Sequence, residues 1–136
     1  MSLTNQEITE LMEQAAADAI LISLEEFNIN LDKSVDSVAL IDDILSGFVD
    51  RYADQALEDQ GLFTLCNIYG AYVGEVFRQI VGGDWEFTQE DNQEIVMVVF
   101  QDKSFAFTGI CYERLAIDNT LSVHKYLLQA IKNCQS

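Results

Sequence analysis

The stretch Gly70-Ala71-Tyr72-Val73-Gly74-Glu75-Val76-Phe77-Arg78, closed by Gly82-Gly83-Asp84-Trp85, gathers the most chemically capable side chains into the shortest span. Glu75 and Arg78 stand three residues apart, so on a helix they share a side and can pair. Nearly everything around them is apolar, which places the pair at a partly buried position. One reading is a small-ligand or enzymatic pocket lined by Tyr69, Tyr72, Glu75, Arg78 and Trp85. The other is an ion pair that fixes packing. No neighbouring residue completes a catalytic set, and the packing reading is the stronger of the two.

Other constellations supply less. Cysteine–histidine catalysis needs a thiol within reach of an imidazole and a group to orient it. The single histidine, His124, reads as a boundary residue of a helix, and Cys66 falls on an apolar stripe while Cys134 sits close to the last residue. Asp32, Ser34, Asp36 and Asp43 occupy positions 1, 3, 5 and 12 of a possible calcium loop, but position 6 is Ser37 where glycine is needed and position 12 is the shorter Asp. No metal and no cofactor is expected. The adjacent pairs Asp42/Asp43, Glu25/Glu26 and Glu90/Asp91 diverge on a helix or strand and do not make an acid/base dyad. Nucleotide-binding glycine loops and the serine-hydrolase elbow are missing from the sequence. An enzyme is not indicated.

Charge is the strongest compositional signal: 23 acids stand against 7 bases, for a net −16. Residues 1–68 hold 14 acids and 2 bases, residues 69–136 hold 9 and 5. Such a field repels phosphate backbones and anionic lipid, which argues against direct nucleic-acid or membrane binding, and attracts a basic protein. At about 100° per residue, Asp36, Asp43, Asp50, Asp54 and Glu58 fall on one side of a helix and Val38, Ile41, Leu45, Phe48 and Tyr52 on the other. The acids form a ridge that could meet a basic partner; the plainer reading is a solvated helix face. The chain is therefore expected to be a non-enzymatic interaction module, with the Glu75 pocket as the alternative.

The elements that carry these residues follow from periodicity. Thr4 and Glu7 make a capping box, with Leu3 and Ile8 as its staple, and start a helix near Asn5 that ends near Phe27. Its stripe is Ile8, Leu11, Met12, Ala15, Ala19 and Ile22, and apolar Ala15–Leu24 predicts deep packing of its second half. Ser34 or Asp36 caps a second helix running to about Glu58. Gly61 breaks it, and Leu62, Leu65, Cys66, Tyr69, Val73, Val76 and Ile80 mark a third, stopped by Gly82-Gly83. Alternation at Trp85 and Phe87, a turn over Gln89–Gln93, the run Ile95–Phe100, a turn over Gln101–Ser104 and Phe105–Thr108 predict three short antiparallel strands. Residues 109–116 are ambiguous, with one helical turn at Tyr112–Leu115. Asp118, Asn119 or Thr120 caps a last helix with the stripe Val123, Leu127, Leu128, Ile131.

The predicted order is three helices, a three-stranded meander and a C-terminal helix: one α+β domain over residues 1–136, with no proline, linker or repeat. Three scattered cysteines form no framework, no run is long enough to span a bilayer, and Met1–Glu13 has no basic stretch leading an apolar one, so a reducing cytoplasm is expected. Leu31-Asp32-x-Ser34-x-x-Ser37-x-x-x-x-Asp42, followed by Gly70-x-Tyr72-x-Gly74-Glu75-x-x-Arg78-x-x-x-Gly82-Gly83-x-Trp85, resembles a small bacterial domain family of unknown function across residues 30–128. The resemblance implies a cytoplasmic α+β domain in which Glu75, Arg78 and Trp85 recur, and it implies no reaction.

Overall fold

The computed structural model describes residues 4–51, 59–90, 93–118 and 120–135. The chain is α+β. Its elements in order are α1 (Asn5–Phe27), α2 (Ser37–Arg51), α3 (Asp59–Ile80), β1 (Asp84–Glu90), β2 (Gln93–Phe100), β3 (Lys103–Phe105), α4 (Phe107–Ala116) and α5 (Val123–Cys134).

Local signals explain most boundaries. The Thr4 hydroxyl accepts the Glu7 amide hydrogen and the Glu7 carboxylate accepts that of Thr4, each at 3.1 Å, so the capping box forms as its residues require. Asn28 closes α1 in the left-handed region at φ 56°. Ser34 closes the turn that leads into α2: its hydroxyl accepts the Ser37 amide hydrogen at 3.1 Å. Gly61 does not break the chain but lies in the first turn of α3, where a helix has few bonds of its own to lose. Gly82 and Gly83, at φ 111° and 103°, turn α3 into β1.

The sheet has the order β1-β2-β3, antiparallel throughout. Trp85 opposes Val98, and Val98 opposes Phe105, so these three share the inner face of the pleat and all are buried. The third strand lies earlier than Phe105–Thr108. Residues 101 and 102 alone make the turn, with Gln101 at φ 57°, and Phe107 already begins α4. Helix α4 replaces the ambiguous stretch and adds a fifth helix. Its buried line is Phe107, Cys111, Arg114, a spacing of four and three with a guanidinium where an apolar side chain is usual.

Buried apolar side chains from all five helices and all three strands join one cluster that includes Tyr69, Tyr72, Phe77, Trp85 and Phe107. Phe77, Phe105, Phe107 and Tyr126 form a row of ring contacts 5.1–6.0 Å apart that ties α3, the sheet, α4 and α5 together. Among the described residues of the expected stripes, Leu11 on α1, Ile80 on α3 and Leu128 on α5 face outward instead. Leu21 and Leu24 are exposed as well, so the second half of α1 is packed on one side only. Tyr52, Asp54 and Glu58, the expected end of α2, and Leu3 of the staple lie outside the described residues.

Candidate functional site

Helix α3 presents Glu75 and Arg78 one turn apart, and the Gly82-Gly83 reversal returns Trp85 beneath them. One carboxylate oxygen, Glu75 Oε2, accepts from Arg78 Nη1 at 2.7 Å and from Trp85 Nε1 at 2.8 Å. Arg78 Nε donates to the Gly83 carbonyl at 3.1 Å. The indole is fully buried, and its N–H has found the acceptor a buried tryptophan requires. Gly74 is what lets the ring lie there, because a Cβ at that position would fall on the indole carbons. The Glu75 and Arg78 side chains are 13% and 22% exposed, so solvent weakens the ion pair without dissolving it.

Tyr69 and Tyr72 do not join this cluster. Tyr69 Oη meets Ser23 Oγ of α1 at 2.9 Å. Tyr72 Oη accepts the Lys33 amide hydrogen at 2.7 Å and lies 2.6 Å from Ser37 Oγ. Because the Ser37 hydroxyl donates to the Ser34 carbonyl at 2.6 Å, the Tyr72 hydroxyl is the donor to Ser37. The polar ends of the five expected pocket residues thus go to three separate places: α1, the start of α2, and the α3–β1 turn. Burial pushes both tyrosine hydroxyls above their usual pKa, and at Tyr72 the amide hydrogen donated by Lys33 works in the opposite direction.

Among the ridge residues, Asp36, Asp43 and Asp50 are exposed. Asp36 lies in the turn directly before α2, and Asp43 and Asp50 follow at seven-residue steps, about 10 Å apart along one side. Asp54 and Glu58 lie outside the described residues. Asp32, the first position of the possible calcium loop, accepts from both the amide and the hydroxyl of Ser34, at 3.0 and 2.6 Å, and this holds its carboxyl below the usual range. Among the described residues no group of three His, Cys, Asp or Glu is placed to hold a metal ion.

The most connected polar cluster was not anticipated. Asp42, on the inward flank of α2, accepts from Ser122 Oγ at 2.9 Å and from the amides of Val123 and His124 at 2.8 and 3.3 Å. A carboxylate from one helix therefore caps the N-terminus of another, where the exposed amides and the helix dipole favour negative charge. Ser122, not Asp118 or Thr120, is the capping residue of α5, and Asn119 lies outside the described residues; Asp118 is occupied by the amide and hydroxyl of Thr120. Arg114 enters the same cluster from α4. Its Nη2 donates to Ser46 Oγ at 2.5 Å, and its Nε stands 3.7 Å from Asp42 Oδ1, an ion-pair distance too long for a hydrogen bond. A lone acid beside an apolar stripe and a lone base on another were the only signals of this pairing.

The thiols and the imidazole are poorly placed for nucleophilic work. Burial pushes the Cys66 thiol up to about 12 and raises that of Cys111 well above its usual value, so neither is a thiolate near neutrality. His124 is half-buried and its amide, not its ring, meets Asp42. No family model matches the chain, and neither a curated protein nor a solved structure matches it significantly. Among the described residues no helix is long and apolar enough to cross a membrane.

Proposed function

We propose that this chain is a non-enzymatic binding module that offers an acidic face, carried by Asp36, Asp43 and Asp50, to a basic protein surface. The observation that supports this most directly is the exposure of those three carboxylates along one side of α2, in a chain of net charge −16. Complementary potentials of this kind raise association rates and guide docking. Four inward polar groups support the same reading, since Glu75, Tyr69, Tyr72 and Asp42 each make hydrogen bonds within the chain. The setting remains the reducing cytoplasm that the scattered free cysteines favour.

The test is partner capture from the source cell's extract at low and high salt, with Asp36→Asn, Asp43→Asn and Asp50→Asn combined as control. A specific partner lost both in high salt and in the variant is the expected result. A partner retained by the variant would remove the ridge from the interface.

A further inference from the structure

The leucines on the outer side of α1 are not used by the core. Leu11, Leu21 and Leu24 are 57%, 53% and 47% exposed, while Ile8, Met12, Ala16, Ala19 and Ser23 fill the inner side. Following α1 around at about 100° per residue, the outermost line is Glu10, Gln14, Ala17, Leu21, Leu24 and Asn28, every one of them exposed. Its steps alternate between four and three residues, which is the spacing by which one helix meets another along a seam. The stretch of that seam between Gln14 and Asn28, made of Ala17, Leu21 and Leu24, is apolar.

Acids border it on both sides. Glu13 flanks one edge, Asp18 and Glu25 the other, and α1 carries six acids with no Lys or Arg. A second copy of this chain, set parallel or antiparallel along the seam, would bring those carboxylates against one another, and like charges across paired helices are destabilising. A helix with Lys or Arg at its flanking positions meets the same acids favourably. The geometry points to α1 as the docking surface for a basic amphipathic helix of another protein, seated on Ala17, Leu21 and Leu24 and held in register by Glu13, Asp18 and Glu25. This surface stands on a different helix from the α2 ridge and does not depend on it.

The experiment uses two synthetic helical peptides of about three heptads, long enough to follow the seam. Both carry leucine along the contact line, one with lysine and one with glutamate at the flanking positions. Binding is read by fluorescence anisotropy against the full chain, against Leu21→Ser/Leu24→Ser and against the α2 triple Asn variant. The lysine peptide is expected to bind, and to weaken about tenfold or more with the serine variant, whose net charge is unchanged. It should also weaken in about 1 M salt, where charges are screened within about 3 Å. The triple Asn variant should bind it nearly as well as the parent, and the glutamate peptide should not bind. Equal affinity of the parent and the serine variant would reduce the effect to bulk charge and overturn the proposal. So would no binding of the lysine peptide, or a dimer in sedimentation that Leu21→Ser/Leu24→Ser dissolves.

Discussion

The carboxylate of Asp42 on α2 accepts the amide hydrogen of Val123 at the first turn of α5, 2.8 Å away and 81 residues along the chain. It also stands beside Arg114, whose side chain is 9% exposed and whose Nε has no hydrogen-bond partner. Removing Asp42 would free two backbone donors and leave a buried guanidinium without its counter-charge. Asp42→Ala is therefore expected to cost about 2–4 kcal/mol in urea denaturation. Asp42→Asn should cost less because an acceptor remains, and Ser122→Ala about 1 kcal/mol. If Asp42→Ala cost no more than Ser122→Ala, the guanidinium would have to be solvated rather than paired.

Gly74 and Trp85 form a second dependency, one of volume. A methyl group on residue 74 would occupy the place of the indole ring, which is fully buried and held by Glu75. Gly74→Ala should destabilise by about 3 kcal/mol despite alanine's better helix propensity. The check is a thermal melt paired with tryptophan fluorescence, since Trp85 is the single tryptophan. A variant as stable as the parent, with unchanged emission, would show that the ring can step aside.

The Tyr72 hydroxyl links α3 to the segment that launches α2. It accepts from the amide of Lys33, a residue at φ 65°, and donates to Ser37. Tyr72→Phe leaves that amide without its acceptor and should cost about 1–3 kcal/mol. Hydrogen exchange at Lys33 supplies the local readout: faster exchange in the variant is expected, and an unchanged rate would mean that another acceptor serves the amide.

Stability should fall in alkali. Burial raises the Cys66 thiol from 9.0 to about 12, and raises Tyr69, Tyr72 and Tyr126 above 10.0. For each group the folded chain holds its proton at a pH where the unfolded chain has lost it. The contribution is whole below the unfolded value and is lost as pH rises through the folded one, from about pH 9 for Cys66 and about pH 10 for the tyrosines. A group fully inside its window contributes a slope of roughly 1.4 kcal/mol per pH unit. Urea midpoints measured from pH 8 to 11 should decline, and Cys66→Ala should delay the onset. A flat profile would contradict the burial of these groups.

Most local features were legible in the sequence, and features assembled across distance were not. The Thr4 capping box, the Gly82-Gly83 reversal and the Trp85 strand each rest on neighbouring residues, and each lies where the pattern puts it. So does the Glu75–Arg78 pair. Helix α4 was legible only as the turn Tyr112–Leu115, because Ala106 offers no capping side chain, Phe105–Thr108 reads as strand, and Arg114 occupies an inward position that periodicity reserves for an apolar residue. The role of Asp42 escaped because its partners lie 80 and more residues away. Leu21 and Leu24 misled for a different reason: hydrophobicity marks a side chain that can be buried, without saying whether its own chain buries it.

The shared oxygen of Glu75 also has a consequence for the order in which the chain closes. Its bond to Trp85 spans 10 residues, whereas the bond from Asp42 to Val123 spans 81. The entropy of closing the longer loop exceeds that of the shorter by about 1.9 kcal/mol, so the α3–β1 corner can form as a local nucleus while the α2–α5 clasp waits for the rest of the chain. In pulse-labelled refolding the Trp85 indole hydrogen should gain protection early and the Val123 amide late, which makes the clasp the latch of the fold and the corner its seed.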